Sequence, residues 1–179
     1  QSIYNSKIST VDVLTNKDVP DIAVASWDVS DKQNKSVMAW IIVDPDNTDM
    51  YKLYIGGNGG VYANANSSDL FYSYYGRTFY KTTSMNLANL DTSKVTNMNN
   101  MFRNCENLVS LYIKNFDTSK VTDMALMFYE CKSLLYLDVS SFDTSNVITM
   151  HLMFYNCNKL TSLNVNNFDT SKVTNMSSI

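Results

Sequence analysis

Apolar and polar positions recur along this chain with a step of 26 residues. Val95, Val121, Val147 and Val173 keep that step, as do Met98, Met124, Met150 and Met176. Met101, Met127 and Met153 follow, each with a Phe beside it (Phe102, Phe128, Phe154), and then Cys105, Cys131 and Cys157. Leu108, Leu134 and Leu160, with Leu111, Leu137 and Leu163, complete the unit, and Asp91, Asp117, Asp143 and Asp169 each begin an Asp-Thr-Ser string. Two periodicities share each unit. In Val95-x-x-Met98-x-x-Met101-Phe102-x-x-Cys105 the apolar residues return every three or four positions, which predicts one face of a short helix or helical turn. In Leu108-x-x-Leu111-x-Ile113-x-x-Phe116 the Leu-x-Ile step is the period of a strand with one buried face. Asp117-Thr118-Ser119 then turns the chain into the next unit, with side chains suited to bonding nearby backbone.

One such unit cannot bury its apolar side alone. Stacked at the strand spacing of about 4.8 Å, each buried row meets an equivalent row. A period of 26 lies in the leucine-rich-repeat range of about 20–29 residues. The predicted fold is therefore an α/β solenoid: a leucine-rich-repeat-type stack of 26-residue coils, one short strand plus one short helix each, with an N-terminal β-rich cap. Residues 1–82 are read as the cap and 83–179 as the solenoid, which breaks off inside its fourth unit at Ile179. That end is expected either to continue in the natural protein or to be covered by a partner, and it leaves room for end-to-end packing at an uncapped coil. Within the cap, Trp27-Asp28-Val29-Ser30 reads as a strand end, Val37 to Val43 as a buried strand, and Met50 to Ile55 as a third strand. Asp44-Pro45-Asp46-Asn47 is a turn signal. The Gly56-Gly57-Asn58-Gly59-Gly60 run is expected to join the third strand to Val61-Tyr62-Ala63 as a hairpin. Counting back 26 from the first full unit makes Thr83 to Leu90 a degenerate first repeat.

Composition narrows the function classes. With 179 residues, 45% apolar, the chain suits one core. Its net charge of −3 argues against a nucleic-acid surface. No apolar run reaches the roughly 18 residues of a membrane span. The chain opens at Gln1 without a basic-then-apolar leader, as expected of a processed secretory protein or an excised fragment. Abundant Asn, Ser, Thr and Tyr with scarce Glu and Arg suggest the weakly charged exterior common on secreted bacterial proteins.

Each candidate for chemistry has a simpler reading. Equivalent cysteines in adjacent coils would lie near 5 Å apart, within disulfide range. Yet Cys105, Cys131 and Cys157 fill apolar slots, are odd in number and lack the His or second Cys of a zinc site, so buried free thiols are expected. The aspartate column supplies one acid per unit where Ca²⁺ wants about six to eight oxygens, so capping of local backbone N–H groups is expected instead. His151 has no partnered nucleophile and is expected on an exposed helical turn. The Gly56–Gly60 run lacks the Lys-Ser/Thr of a phosphate loop. The Thr92, Thr118, Thr144 and Thr170 column could face ice or sugar, but turn chemistry explains it as well. No metal, cofactor or catalytic set is expected, and the chain is read as non-enzymatic.

The motif Phe-Asp-Thr-Ser-x-Val-Thr-x-Met-x-x-Met-Phe-x-x-Cys-x-x-Leu-x-x-Leu-x-Leu runs from Phe116 to Val139 and again from Phe142 to Val165, with Val in the last Leu slot and Ile148-Thr149 in place of Thr-Asn or Thr-Asp. On this motif, and on Trp27-Asp28-Val29-Ser30, Leu53-Tyr54-Ile55-Gly56-Gly57 and Asn89-Leu90-Asp91-Thr92-Ser93, the chain resembles BspA-like leucine-rich-repeat surface proteins of bacteria over residues 26–179. The resemblance implies a secreted or wall-attached bacterial protein of the kind classed as adhesins.

Positions that vary between units carry the functional signal. Val109, Tyr112 and Lys114, then Leu135, Tyr136 and Asp138, then Asn164, fall on strand positions that point outward in leucine-rich repeats, where partners dock. Val109, Tyr112, Leu135 and Tyr136 would form an apolar-aromatic patch, read either as a docking site or as a solvated face with stray aromatics. The expected function is a secreted or cell-surface binding module that contacts a host or neighbouring-cell surface protein or glycan through that face. The alternative is a structural spacer within a longer surface protein.

Overall fold

A computed structural model describes residues 6–73 and 79–179 of the chain. Eight strands are found among them: β1 (Ile8–Leu14), β2 (Ala25–Asp28), β3 (Val37–Asp44), β4 (Asn47–Gly57), β5 (Val61–Tyr62), β6 (Ser84–Asn86), β7 (Leu90–Asp91) and β8 (Ser110–Tyr112). Six of these form one mixed sheet in the order β2-β3-β4-β1-β6-β8, and β5 pairs with β7 in a second. β2, β3 and β4 run antiparallel, and the tight Asp44–Asn47 turn closes the β3–β4 pair. β1 pairs in parallel with β4 on one side and β6 on the other, and β6 pairs in parallel with β8. Beneath the sheet lies one core running from Ile8, Val11 and Val13 through Met98, Phe102 and Met127 to Met153.

The strand-plus-helix coil predicted for each unit does not form, and the leucine-rich-repeat solenoid is overturned with it. No helix occurs among the described residues, and β8 is the one strand they contain after Asp91. The physical reason is where the backbone donors go. The amides of Met98, Asn100, Phe102 and Asn104 donate to the carbonyls of Asp123, Ala125, Met127 and Tyr129 in the following unit, at 2.8–3.0 Å. The intervening amides of Met101, Arg103 and Cys105 close tight turns onto Met98, Asn100 and Phe102. A helix would need those donors for its own i−4 carbonyls. Asn100 and Asn104 are left-handed (φ 57° and 60°), as are Leu126, Glu130, Leu152 and Asn156 in the matching slots, and left-handed L-residues do not propagate a helix. The three-to-four spacing of Val95, Met98 and Met101 thus reports successive turns that bury one side.

Consecutive segments nonetheless align in register. Parallel bridges join Asn97 to Asp123, Asp123 to Thr149 and Thr149 to Asn175. Phe102 stacks on Phe128 at 5.6 Å and 2°, and Phe128 on Phe154 at 5.6 Å and 4°. Near-parallel stacking of buried rings adds to their area burial. The segment 64–73 supplies a further tier absent from the sequence reading. Ser67, Asp69, Phe71 and Ser73 donate to Asn97, Asn99, Met101 and Arg103, and Phe71 stacks on Phe102 at 5.4 Å.

Two corrections concern the N-terminal region. The Gly56–Gly60 run does not make a hairpin: Val61 and Tyr62 pair in parallel with Leu90 and Asp91. Gly59 and Gly60 have φ of 94° and 104°, so the chain veers away from β4 there. Gly56 is required for a different reason, since a Cβ on it would lie 1.7 Å from the Asn16 carbonyl oxygen. The second correction is β1, at the centre of the sheet, for which no strand was predicted. Ser9, Val11 and Val13 are buried and alternate with Thr10 and Asp12.

Candidate functional site

Of the residues singled out from the sequence, Tyr112 lies on β8 and faces away from the core, Tyr136 is bridged to that strand, and the others lie outside the strands. Register fixes this: Ser84 lies beside Ser110, and Asn86 beside Tyr112. Ser110 bridges Tyr136 in the next unit. Lateral neighbours share a face, so the alternation that buries Leu111 and Ile113 turns Tyr112 and Lys114 outward. Tyr112 and Tyr136 are 62% and 63% exposed, Leu135 51% and Val109 38%. Asn164 is exposed and Asp138 half-buried. A depression of about 160 Å³ is lined by Tyr112, Lys114, Tyr136 and Asp138. A second of about 410 Å³ is lined by Tyr136, Asp138, Ser140, Ser162 and Asn164. All the predicted residues except Val109 and Leu135 line one or the other; those two lie beside them in sequence and are exposed.

Asp138 is oriented within this surface. Its carboxylate accepts from the Ser140 amide at 3.0 Å. The Ser140 hydroxyl, the Ser140 amide and the Lys114 charge together hold Asp138 below the usual carboxylate range. It is therefore an acceptor-only group at neutral pH.

The other candidates resolve into structure. Thr92, Thr118 and Thr144 are each 1% exposed, so no threonine array faces outward there. The Thr118 hydroxyl donates to the Asp143 carbonyl at 2.9 Å and accepts from the Asp143 amide at 2.8 Å. Thr92 does the same with Asp117, and Thr144 with Asp169. Each hydroxyl thus ties its unit to the next. The aspartate carboxylates accept from the amide two residues on, at Ser93, Ser119, Ser145 and Ser171, at 2.8–3.0 Å. Cys105 and Cys131 are buried, Cys157 is half-buried, and their thiols donate to the Phe71, Phe102 and Phe128 carbonyls. Burial pushes Cys105 up to about 12 and Cys157 to about 11, which leaves them thiols rather than reactive thiolates. His151 is half-buried on a turn, with Nδ1 3.1 Å from the Thr149 hydroxyl.

The aspartate column predicts an acid response. The Ser93, Ser119 and Ser145 hydroxyls, then their amides, hold Asp91, Asp117 and Asp143 below the usual range, while at Asp169 the Ser171 amide leads. Folded carboxyl pKa values below the unfolded ones stabilise the protein above the unfolded pKa of about 3.9. That contribution is lost as pH falls through the lower folded values. Midpoints from urea titrations should hold steady from pH 7 to 5 and fall below pH 4. A midpoint that rises on acidification would contradict this.

Two features escaped sequence reading. Asp12 of β1 and Tyr54 of β4 are lateral partners, and Asp12 also partners Asn86 of β6. They extend the outward row that continues into Tyr112. The Val11-x-Val13 alternation was the available signal for β1. On another surface, Arg103 lies over the Tyr129 ring at 5.1 Å and the Tyr72 ring at 5.6 Å, and Tyr129 stacks on Tyr155 at 5.3 Å. Arg103, Tyr129 and Tyr155 follow the 26-residue step, which exposes that column to sequence analysis.

No group of His, Cys, Asp and Glu suited to a metal occurs among the described residues, and no helix there is long and apolar enough to cross a membrane. Comparison with curated proteins and with solved structures returns no match to the chain. A family model does match, over residues 71–179, more than half the chain, and it is described as a Mycoplasma protein of unknown function, DUF285. The register of Met, Phe, Cys and Asp-Thr-Ser positions falls within that span, and the chain belongs to the DUF285 family.

Proposed function

We propose that the chain is a non-enzymatic binding module of a secreted or cell-surface bacterial protein, an adhesin that contacts a protein or glycan of a host or neighbouring cell through the outer sheet face. One observation carries this reading: Tyr112 and Tyr136, the most exposed aromatics of the face, stand beside two depressions that also present Lys114, Asp138 and Asn164. Exposed aromatics flanked by polar groups are the residues that dominate interface energetics. Val109 and Leu135 supply adjoining apolar area. The resemblance of the repeat motif to BspA-like surface proteins supports the same location and role.

The test is a screen of the protein against immobilised host extracellular proteins and a glycan array. Tyr112→Ser with Tyr136→Ser should abolish binding to whatever is captured and leave the thermal transition within a few degrees of the parent. Undiminished capture by the double variant would refute the site. The competing reading, a structural spacer, predicts that the parent protein captures nothing in either screen.

A further inference from the structure

One edge of the six-stranded sheet is left open among the described residues. β2 ends the strand order and pairs only with β3. Opposite residues in an antiparallel pair alternate between bonded and non-bonded. The Val29 amide donates to the Val37 carbonyl at 3.1 Å, which puts Val29, Trp27 and Ala25 in bonded pairs with Val37, Ala39 and Ile41. The amides and carbonyls of Ser26 and Asp28 therefore point away from β3, and no other described segment bonds them. Natural edges are guarded by lysine, proline or a covering loop. Residues 22–29 contain neither lysine nor proline. The one charge there, the Asp28 carboxylate, is turned to the Ser30 and Lys35 amides. Ile22, Val24 and Val29 are 72%, 47% and 48% exposed.

Free backbone donors and acceptors alternating along a sheet edge are met by another extended backbone. We propose that β2 pairs antiparallel with β2 of a second copy of this chain, about a two-fold axis through Trp27. That register sets Ser26 opposite Asp28 of the second copy, and Asp28 opposite its Ser26. Every outward amide and carbonyl on both edges is then bonded. The neighbouring registers are worse. A two-fold through Asp28 places two carboxylates directly opposite each other, which destabilises a strand pair. A two-fold through Ser26 sets Asp28 against Val24, whose amide is already given to the Ile41 carbonyl. With the axis at Trp27, Ala25 lies opposite the exposed Val29 of the second copy. Trp27, packed against the core, lies opposite its own equivalent. Aliphatic and aromatic cross-strand pairs of this kind stabilise a sheet. The contact uses the same residues of both chains and closes on itself as a dimer. β2 and β8 stand at opposite ends of the strand order, so this interface leaves Tyr112 uncovered.

Sedimentation equilibrium of the whole chain tests it. The weight-average mass should rise with concentration from the monomer value toward twice that value, with a Kd on the order of 100 µM for so small an interface. Ser26→Pro removes an outward donor at an edge position that tolerates proline, so the fold should persist while dimerisation weakens about tenfold or more. Val29→Lys, at an exposed position, should have the same effect. A melting curve accompanies each variant, and Val29→Lys decides the matter should Ser26→Pro fail to fold. A chain that stays monomeric up to about 1 mM overturns the inference. So does a dimer whose Kd is indifferent to Val29→Lys or to a folded Ser26→Pro.

Discussion

Replacing Met127 with Asp is expected to abolish the cooperative thermal transition. Met127 has no exposed surface, and its carbonyl accepts from Phe102 while its amide donates to Met124. The neighbouring core positions Met98, Phe102, Met124 and Phe128 are also fully buried, and Phe102 and Phe128 are stacked on each other. A carboxylate there would protonate rather than stay charged. A carboxyl pKa raised by about three units to reach neutrality costs about 4 kcal/mol. Loss of the methionine side chain's burial adds about 2 kcal/mol. The sum is comparable with the total stability of a domain of this size, about 5–15 kcal/mol. Far-UV circular dichroism melting of the variant should show no sigmoidal loss of signal. Met127→Leu, which conserves volume, should cost less than about 1.5 kcal/mol. A Met127→Asp protein melting within a few degrees of the parent would mean that this column is not the core.

The second large effect belongs to Thr118. Its γ-hydroxyl is both donor and acceptor toward one residue of the next unit, Asp143, and it is 1% exposed. Valine has the same shape and neither capacity. Thr118→Val should therefore cost about 2 kcal/mol, because it leaves the Asp143 amide and carbonyl without their partner. Urea unfolding should register that loss as a lower midpoint at an unchanged slope. Thr118→Ser keeps the hydroxyl and should recover most of it. Equal midpoints for the parent and Thr118→Val would show that the paired bonds contribute nothing net.

These two residues mark what a one-dimensional reading could and could not reach. The 26-residue register placed Met127 and Phe128 in the core without reference to any backbone conformation, since burial depends only on which side chains share a side. The same spacing was misread as helix at Val95–Cys105. Periodicity reports a face, and a run of tight turns with left-handed residues at Asn100 and Asn104 presents one as a helix does. The distinguishing information was the destination of the Asn100 and Asn104 amides, which lies 25 residues away. Asn at both positions was a faint local sign, being tolerant of positive φ, but Leu126 and Leu152 in the matching slot carry none.

The tier at 64–73 was lost to arithmetic. Phe71 stacks where a count of 26 back from Phe102 would place Gly76, so a fixed step passes it by. The Leu70-Phe71 pair, echoing Met101-Phe102, was the clue. For the candidate site, Tyr112 and Tyr136 were legible because outward positions differ between units. Asp12, Tyr54 and Asn86 were not, because they join that row only through the parallel pairing of β1 with both β4 and β6. Long-range strand pairing leaves no trace in the local pattern of either partner.

The Thr–Asp pairs have an evolutionary corollary. Each one spans 25 residues and treats its neighbour as an interchangeable copy of itself. A gene segment encoding one whole unit could be duplicated or excised by recombination, and every hydroxyl would still find an aspartate. Chains with different copy numbers would then differ in length along the paired segments by about 4.8 Å per unit while each unit kept its conformation. A gain or loss of one residue between Thr118 and Asp143 would alter the separation of that pair alone and leave the other two intact.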